Sequence, residues 1–350
     1  MSRKRQILSA FFAVGLVIFL LIIGYMRKSP KKTDQLPLPT PVPTEEVTEA
    51  TIIPTVLPTT VVVATATLAP TKTIYKSKLK WGAYTGWQVE EVNNFESKVG
   101  KQMDFVATFV HWGNENELPL DLGNFTKSRG KTLVLFWEAM DYNKETTEDP
   151  KYNYDAILRG DWDKYIADFA KQTKNFGGEV ILIPFEEMNG DWYPWSGTKN
   201  GNSAAKHIAA YRYVKKFFGG INNVKFGWAV NGESSPEVDG NRIMDFYPGN
   251  EAVDILGING FNFDNPWVSF ARVFNDGLET LETLDKPIMI FSMACADGQE
   301  KANWIKEGLG KEIYKHPKVQ GFIWFNENKE KDWRVWSDTN SLEAFKSILN

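Results

Sequence analysis

Cysteine and histidine are nearly absent from this 350-residue chain, and their scarcity excludes several chemistries at once. The single cysteine, Cys295, rules out an intrachain disulfide and a thiolate metal cluster. The three histidines, His111, His207 and His316, lie without metal-ligand spacing, so no zinc or iron centre and no cofactor is expected. There is no glycine-rich phosphate loop, and no nucleophile-elbow glycines flank Ser292. Aromatic residues are missing from residues 33–73, a stretch dominated by Thr, Pro and Val, whereas all 13 Trp lie at or beyond Trp81. Residues 7–26 lack any charged side chain.

These absences divide the chain. About 20 apolar residues span a bilayer as a helix, so residues 1–28 read as an N-terminal membrane anchor. Basic residues flank the run on both sides, which leaves its orientation unsettled by charge bias, and a cleaved signal peptide is the rival reading. Residues 29–73 then read as a Thr/Pro-rich extended stalk. The folded part is residues 74–350. Residues 1–80 carry 11 Lys and Arg against 4 Asp and Glu, and the remainder 29 against 40. A domain with that acidic balance is a poor partner for nucleic acid. The expected arrangement is a single-pass protein of the cell membrane with its domain outside the cytoplasm.

Within the domain, short apolar runs alternate with longer amphipathic stretches. Candidate strands are 79–84, 105–112, 132–138, 180–187, 224–231, 253–261, 287–294 and 319–326. Helix-like segments include 161–174, 203–218, 268–284 and 300–308. Eight repeats over about 277 residues predict a (β/α)8 TIM barrel of the α/β class, whose usual size is about 250 residues. A doubly wound open sheet shares the same local rhythm.

Barrel enzymes keep their chemistry at the C-terminal ends of the strands. Here those ends read His111-Trp112, Trp137-Glu138, Glu186-Glu187, Trp228 with Asn231, Phe261-Asn262, Ser292, and Trp324 with Asn326-Glu327. Carboxylates serve as acid and base in glycosidic cleavage, and aromatic faces pack against sugar rings. The apolar run 180–184 followed by Glu186, Glu187, Asn189, Trp192, Tyr193 and Trp195 concentrates both kinds of group. Their coincidence points to a carbohydrate cleft. For any one Trp, ordinary core packing is an equal alternative.

The segment Glu187-Met-Asn-Gly-Asp-Trp-Tyr-Pro-Trp195 resembles the acid/base motif of glycoside hydrolase family 26, the β-mannanase family. The resemblance extends over residues 80–348, through Trp81-Gly-Ala-Tyr84, Asn223-Val-Lys-Phe-Gly-Trp228, Lys286-Pro-Ile-Met-Ile290 and Trp324-Phe-Asn-Glu-Asn-Lys329. It implies retaining, endo-acting chemistry on β-1,4-mannan or a related β-glycan. Glu187 takes the place of the general acid/base. Trp137, Glu138, Glu186, Asn189, Trp192, Trp195, Phe261 and Trp324 are the expected polysaccharide contacts. Three positions depart from the family pattern: Ser292 stands where the nucleophile Glu belongs, Glu186 replaces a His, and Phe261 replaces a Tyr that would bond that nucleophile. A retaining mechanism needs a second carboxylate about 5 to 5.5 Å from the acid, and an ordinary serine hydroxyl does not replace it. Glu138, Glu186 and Asp297 are the candidate stand-ins, and an inverting arrangement remains open. Two readings follow: a hydrolase with an unidentified second group, or a catalytically inactive surface protein whose cleft binds polysaccharide.

Overall fold

The computed structural model describes residues 79–144 and 146–350. The expected anchor and stalk lie outside these residues. No helix among the described residues is long and apolar enough to cross a membrane.

Eight strands close into a parallel barrel in chain order: β1 (Lys80–Tyr84), β2 (Phe105–His111), β3 (Thr132–Glu138), β4 (Val180–Pro184), β5 (Val224–Asn231), β6 (Ile255–Asn262), β7 (Ile288–Cys295) and β8 (Val319–Phe325). β8 pairs back onto β1, so no edge is left exposed. The helices outside are α1 (Val89–Val99), α2 (Leu120–Ser128), α3 (Tyr154–Leu158), α4 (Asp163–Phe176), α5 (Ala204–Phe217), α6 (Phe270–Glu282), α7 (Lys301–Gly310) and α8 (Thr339–Leu349). A 3₁₀ turn at Ile243–Phe246 replaces a full helix between β5 and β6. A doubly wound sheet is thereby excluded.

Local sequence explains the elements. In α4 the buried set Tyr165, Ile166, Phe169, Ala170, Thr173 and Phe176 recurs at helical spacing, and Gly177 stops the helix in the left-handed region at φ 65°. Ser203 caps α5 by accepting from the Lys206 amide, and Asp338 caps α8 by accepting from Ser341.

Alternate strand residues separate two cores. Phe105, Val134, Phe136, Ile183, Met289 and Phe291 fill the barrel itself, while their neighbours pack outward against the helices. β4 ends at Pro184 rather than continuing to Glu187, because Phe185 and Glu187 adopt positive φ values of 58° and 54°. β7 carries a bulge. Ile290 pairs with Ile258 and Ser292 with Asn259, which leaves Phe291 as the extra residue. Across β8, Ile290 pairs with Phe322 and Met293 with Trp324, so two residues face one.

Candidate active site

Glu187 sits in the turn that follows β4, at the C-terminal mouth. Left-handed φ at a non-glycine residue costs on the order of 1 to 3 kcal/mol and persists only where surroundings enforce it. Here the surroundings are specific. The Glu187 amide donates to Ala229 O on β5 at 2.9 Å, and the Gly190 and Gly197 amides donate to Glu187 O and Met188 O, each at 2.8 Å. Trp195 Nε1 donates to Glu186 O at 2.7 Å. The turn is therefore tied on both sides of the carboxylate.

The Glu187 carboxyl is held by two donors. Asn259 Nδ2 reaches Oε1 at 2.9 Å from β6, and Trp192 Nε1 reaches Oε2 at 2.8 Å. Burial raises its pKa above the ordinary carboxylate value, against the pull of those two hydrogen bonds and of the Lys329 charge. The carboxyl is thus oriented by two donors, half-buried, and holds its proton more tightly than a free glutamate.

Two further carboxyls stand beside it. Glu138 ends β3, is buried, and accepts a hydrogen bond from the Tyr142 hydroxyl. Burial pushes its pKa up to about 7, offset in part by Tyr142, Glu186 and Lys329. Glu186 is pushed well above the usual range by burial and by the charges of Glu138 and Glu187. Asp297 is exposed in the loop beyond β7.

Ser292 is buried and pairs with Asn259, whose side chain holds Glu187. The β7 bulge brings this about. Residues 289 and 291 face the barrel interior, so without an extra residue position 292 would point outward. Phe261, two residues beyond Asn259, is half-buried and meets Phe325 and Trp333 edge-on, with ring centroids 5.7 and 5.5 Å apart.

Three of the expected sugar-stacking tryptophans are core residues, as is the expected contact Asn189. Trp137, Trp195 and Trp324 have no exposed surface. Trp137 stacks on Phe169 at 4.6 Å and donates to Tyr165, and Trp195 stacks on Tyr193 at 4.1 Å while donating to Glu186 O. Trp324 Nε1 donates to Trp333 O at 2.8 Å. Large rings at strand ends close the gap between barrel and loops before any ligand arrives. Asn189, also fully buried, links the β4 turn to the β5 loop by donating to Asn231 O at 2.9 Å and accepting the Asn231 amide at 2.8 Å. Glu186 and Glu138 are likewise too buried for direct sugar contact, at 1% and 3% exposure. Trp192 remains half-buried at the mouth.

The sequence reading missed several residues. Asn259 had a signal, since it shares the inward parity of Phe261. Trp87, 48% exposed just after β1, and Phe263, 41% exposed just after β6, offer ring faces to solvent. Tyr142 stacks on His111 at 4.1 Å and had no signal beyond its nearness to a strand end.

A closed parallel barrel whose C-terminal mouth gathers oriented carboxyls and aromatic rings defines the class of barrel glycosidase folds. The chain belongs to glycosyl hydrolase family 26, whose sequence model matches residues 83–342. It is 33% identical over 288 residues to Endoglucanase H of Acetivibrio thermocellus, covering 79% of this chain and 31% of that protein. It is 31% identical over 129 residues to a mannan endo-1,4-beta-mannosidase of Bacillus subtilis, covering 35% of this chain and 32% of that one. The chain thus spans about a third of the length of these curated relatives. The fold is that of the GH26 beta-mannanase of Bacteroides ovatus, with a TM-score of 0.62 at 18% identity, covering 78% of this chain and 88% of that one. The catalytic domain of the Bacillus sp. JAMB-750 GH26 endo-beta-1,4-mannanase matches with a TM-score of 0.60 at 16% identity, over 77% and 85% of the two chains.

Proposed function

We propose that the barrel takes β-1,4-mannan or a related β-glycan in its C-terminal cleft and that Glu187 is its general acid/base. The observation that carries this reading is the carboxyl of Glu187 fixed between Trp192 Nε1 and Asn259 Nδ2, with burial favouring its protonated form. The relatives' names, an endoglucanase and mannan endo-1,4-beta-mannosidases, support a β-linked glucan or mannan as the polymer class.

By resemblance to the family, Ser292 occupies the nucleophile's place. On that basis retaining double displacement does not operate in the unmodified protein, because no carboxylate is available to form the glycosyl-enzyme bond. Binding without cleavage is the second reading, and Ser292 is what favours it. Reducing-sugar release by the full-length protein from a panel of mannans and glucans, beside calorimetric binding to the same panel, separates the two. Binding without release supports the second, release supports the first, and neither one removes the cleft assignment.

We further propose that residues 1–28 anchor the chain in the cell membrane, with the barrel outside the cytoplasm on the stalk of residues 29–73. Protease applied to intact cells should release a fragment of the barrel's size. A barrel that survives until the cells are lysed would refute this topology.

A further inference from the structure

Glu138, Glu186 and Glu187 crowd the ends of β3 and β4, yet their partners differ. Glu187 has two N–H donors and Glu138 has the Tyr142 hydroxyl. Glu186 is 1% exposed, and apart from its own backbone amide no N–H or O–H group donates to its carboxyl. The carboxyl of Glu138 lies within hydrogen-bonding reach of it. Two ionised carboxylates cannot bond to each other, and a buried carboxylate with no donor is costly. One proton between them meets both difficulties: it supplies the missing donor and reduces the pair to a single charge.

We propose that Glu186 and Glu138 share one proton and act as a positioning pair, Glu186 as the neutral acid and Glu138 as the carboxylate that fixes Tyr142 at the mouth of the cleft. Each group around the pair fits that state. Tyr142 donates to Glu138, Tyr154 and Tyr193 lie near enough to feel the charge of the pair, Glu187 is the neighbouring acid, and Lys329 is the cation that acts on Glu138. Tyr154 is itself engaged by His207 Nδ1 at 2.7 Å. Because burial raises both carboxyls, the pair keeps its proton near neutral pH and sheds it in alkali. Two adjacent buried anions beside Glu187 then repel each other, and Tyr142 loses its fixed acceptor.

The test is a carboxyl titration of the full-length protein labelled with carboxyl-¹³C glutamate, read by NMR and by the infrared stretch of a protonated carboxyl. The parent should retain a protonated buried carboxyl at pH 7, and Glu186→Gln and Glu138→Gln should each abolish it. Thermal stability gives an independent readout. The folded pair holds a proton that the unfolded chain releases above its ordinary value of 4.5, so stability falls as pH rises above that value and is lost in full once the folded pair sheds its proton in alkali. Glu186→Gln should flatten that slope, and Glu186→His serves if the glutamine variant does not fold. No protonated carboxyl at pH 7, or an unchanged slope in the variants, overturns the proposal.

A second arm rests on the glycan reading above. Mannan-oligosaccharide affinity of the parent should fall about tenfold between pH 6 and 9, the worth of one pKa unit of difference between free and bound states. Glu186→Gln should remove that dependence. Tyr142→Phe should weaken binding at every pH while the carboxyl signal persists, a split that a merely structural role would not produce. A parent that binds no glycan would sink the glycan reading alone, since the titration needs no ligand.

Discussion

Ser292→Glu combined with Phe261→Tyr is expected to hydrolyse an aryl β-mannoside or mannan about 10²-fold faster than the parent, the lower end of what a positioned catalytic group contributes. The geometry supplies the reason. The bulge at Phe291 puts position 292 on the inner row beside Asn259, whose amide holds Glu187 at 2.9 Å. A carboxylate there would share one wall of the cleft with the residue that orients the acid. Phe261 stands two residues further along β6 and is half-buried, so a hydroxyl added to its ring gives the new carboxylate a donor. Catalytic carboxylates act as a unit, so adding Glu187→Gln should erase the gain. Azide or formate should rescue the parent in part, because serine leaves room for a small nucleophile. Vigorous hydrolysis by the parent without any external nucleophile would show that another residue has taken that role. A double variant that folds and binds glycan yet stays inert would show that more than these positions has changed.

The barrel was legible because its strands are short apolar runs at regular spacing, and all eight were placed to within a few residues. What periodicity could not reveal was the end of β4. The run 180–187 looks continuous, but Phe185 and Glu187 leave the extended region, and that departure is enforced by the Glu187 amide donating to Ala229 O on β5 and by Gly190 and Trp195 donating to the carbonyls of Glu187 and Glu186. The place of Glu187 just past β4 was readable from its motif. The two donors to its carboxyl were not, because Asn259 is 72 residues away and a tryptophan beside a carboxylate motif carries no sign of whether its indole N–H or its ring face is the part in use. Trp137, Trp195 and Trp324 show the limit of composition as a guide. A tryptophan at a strand end satisfies the sequence pattern of a sugar site and that of a buried plug equally, and only burial distinguishes them.

Gly257→Ala is expected to destabilise the barrel by about 3 kcal/mol, the upper part of the usual range for overpacking, without touching the carboxyl cluster. A Cβ at this β6 position would lie well under 3.0 Å from the Phe291 ring, closer than real side chains pack. The ring has little freedom to retreat. It is fully buried in the barrel interior with Ile183, Ala229, Ile255 and Met289, and Gly227 on β5 already stands bare for it, since a Cβ there would lie 3.0 Å from Phe291 Cζ. Two glycines on adjacent strands therefore accommodate one bulged phenylalanine. Phe291→Ala alone should cost about 3 to 5 kcal/mol through the cavity it leaves. In the double variant the Gly257→Ala penalty should vanish, because the new methyl enters space the ring has vacated, and the total should fall below the sum of the singles by that same amount, about 3 kcal/mol. Denaturant unfolding of the four proteins measures that coupling. Strict additivity would mean that the ring does not require the glycine, and that the bulge which turns Ser292 inward is held by something other than Phe291.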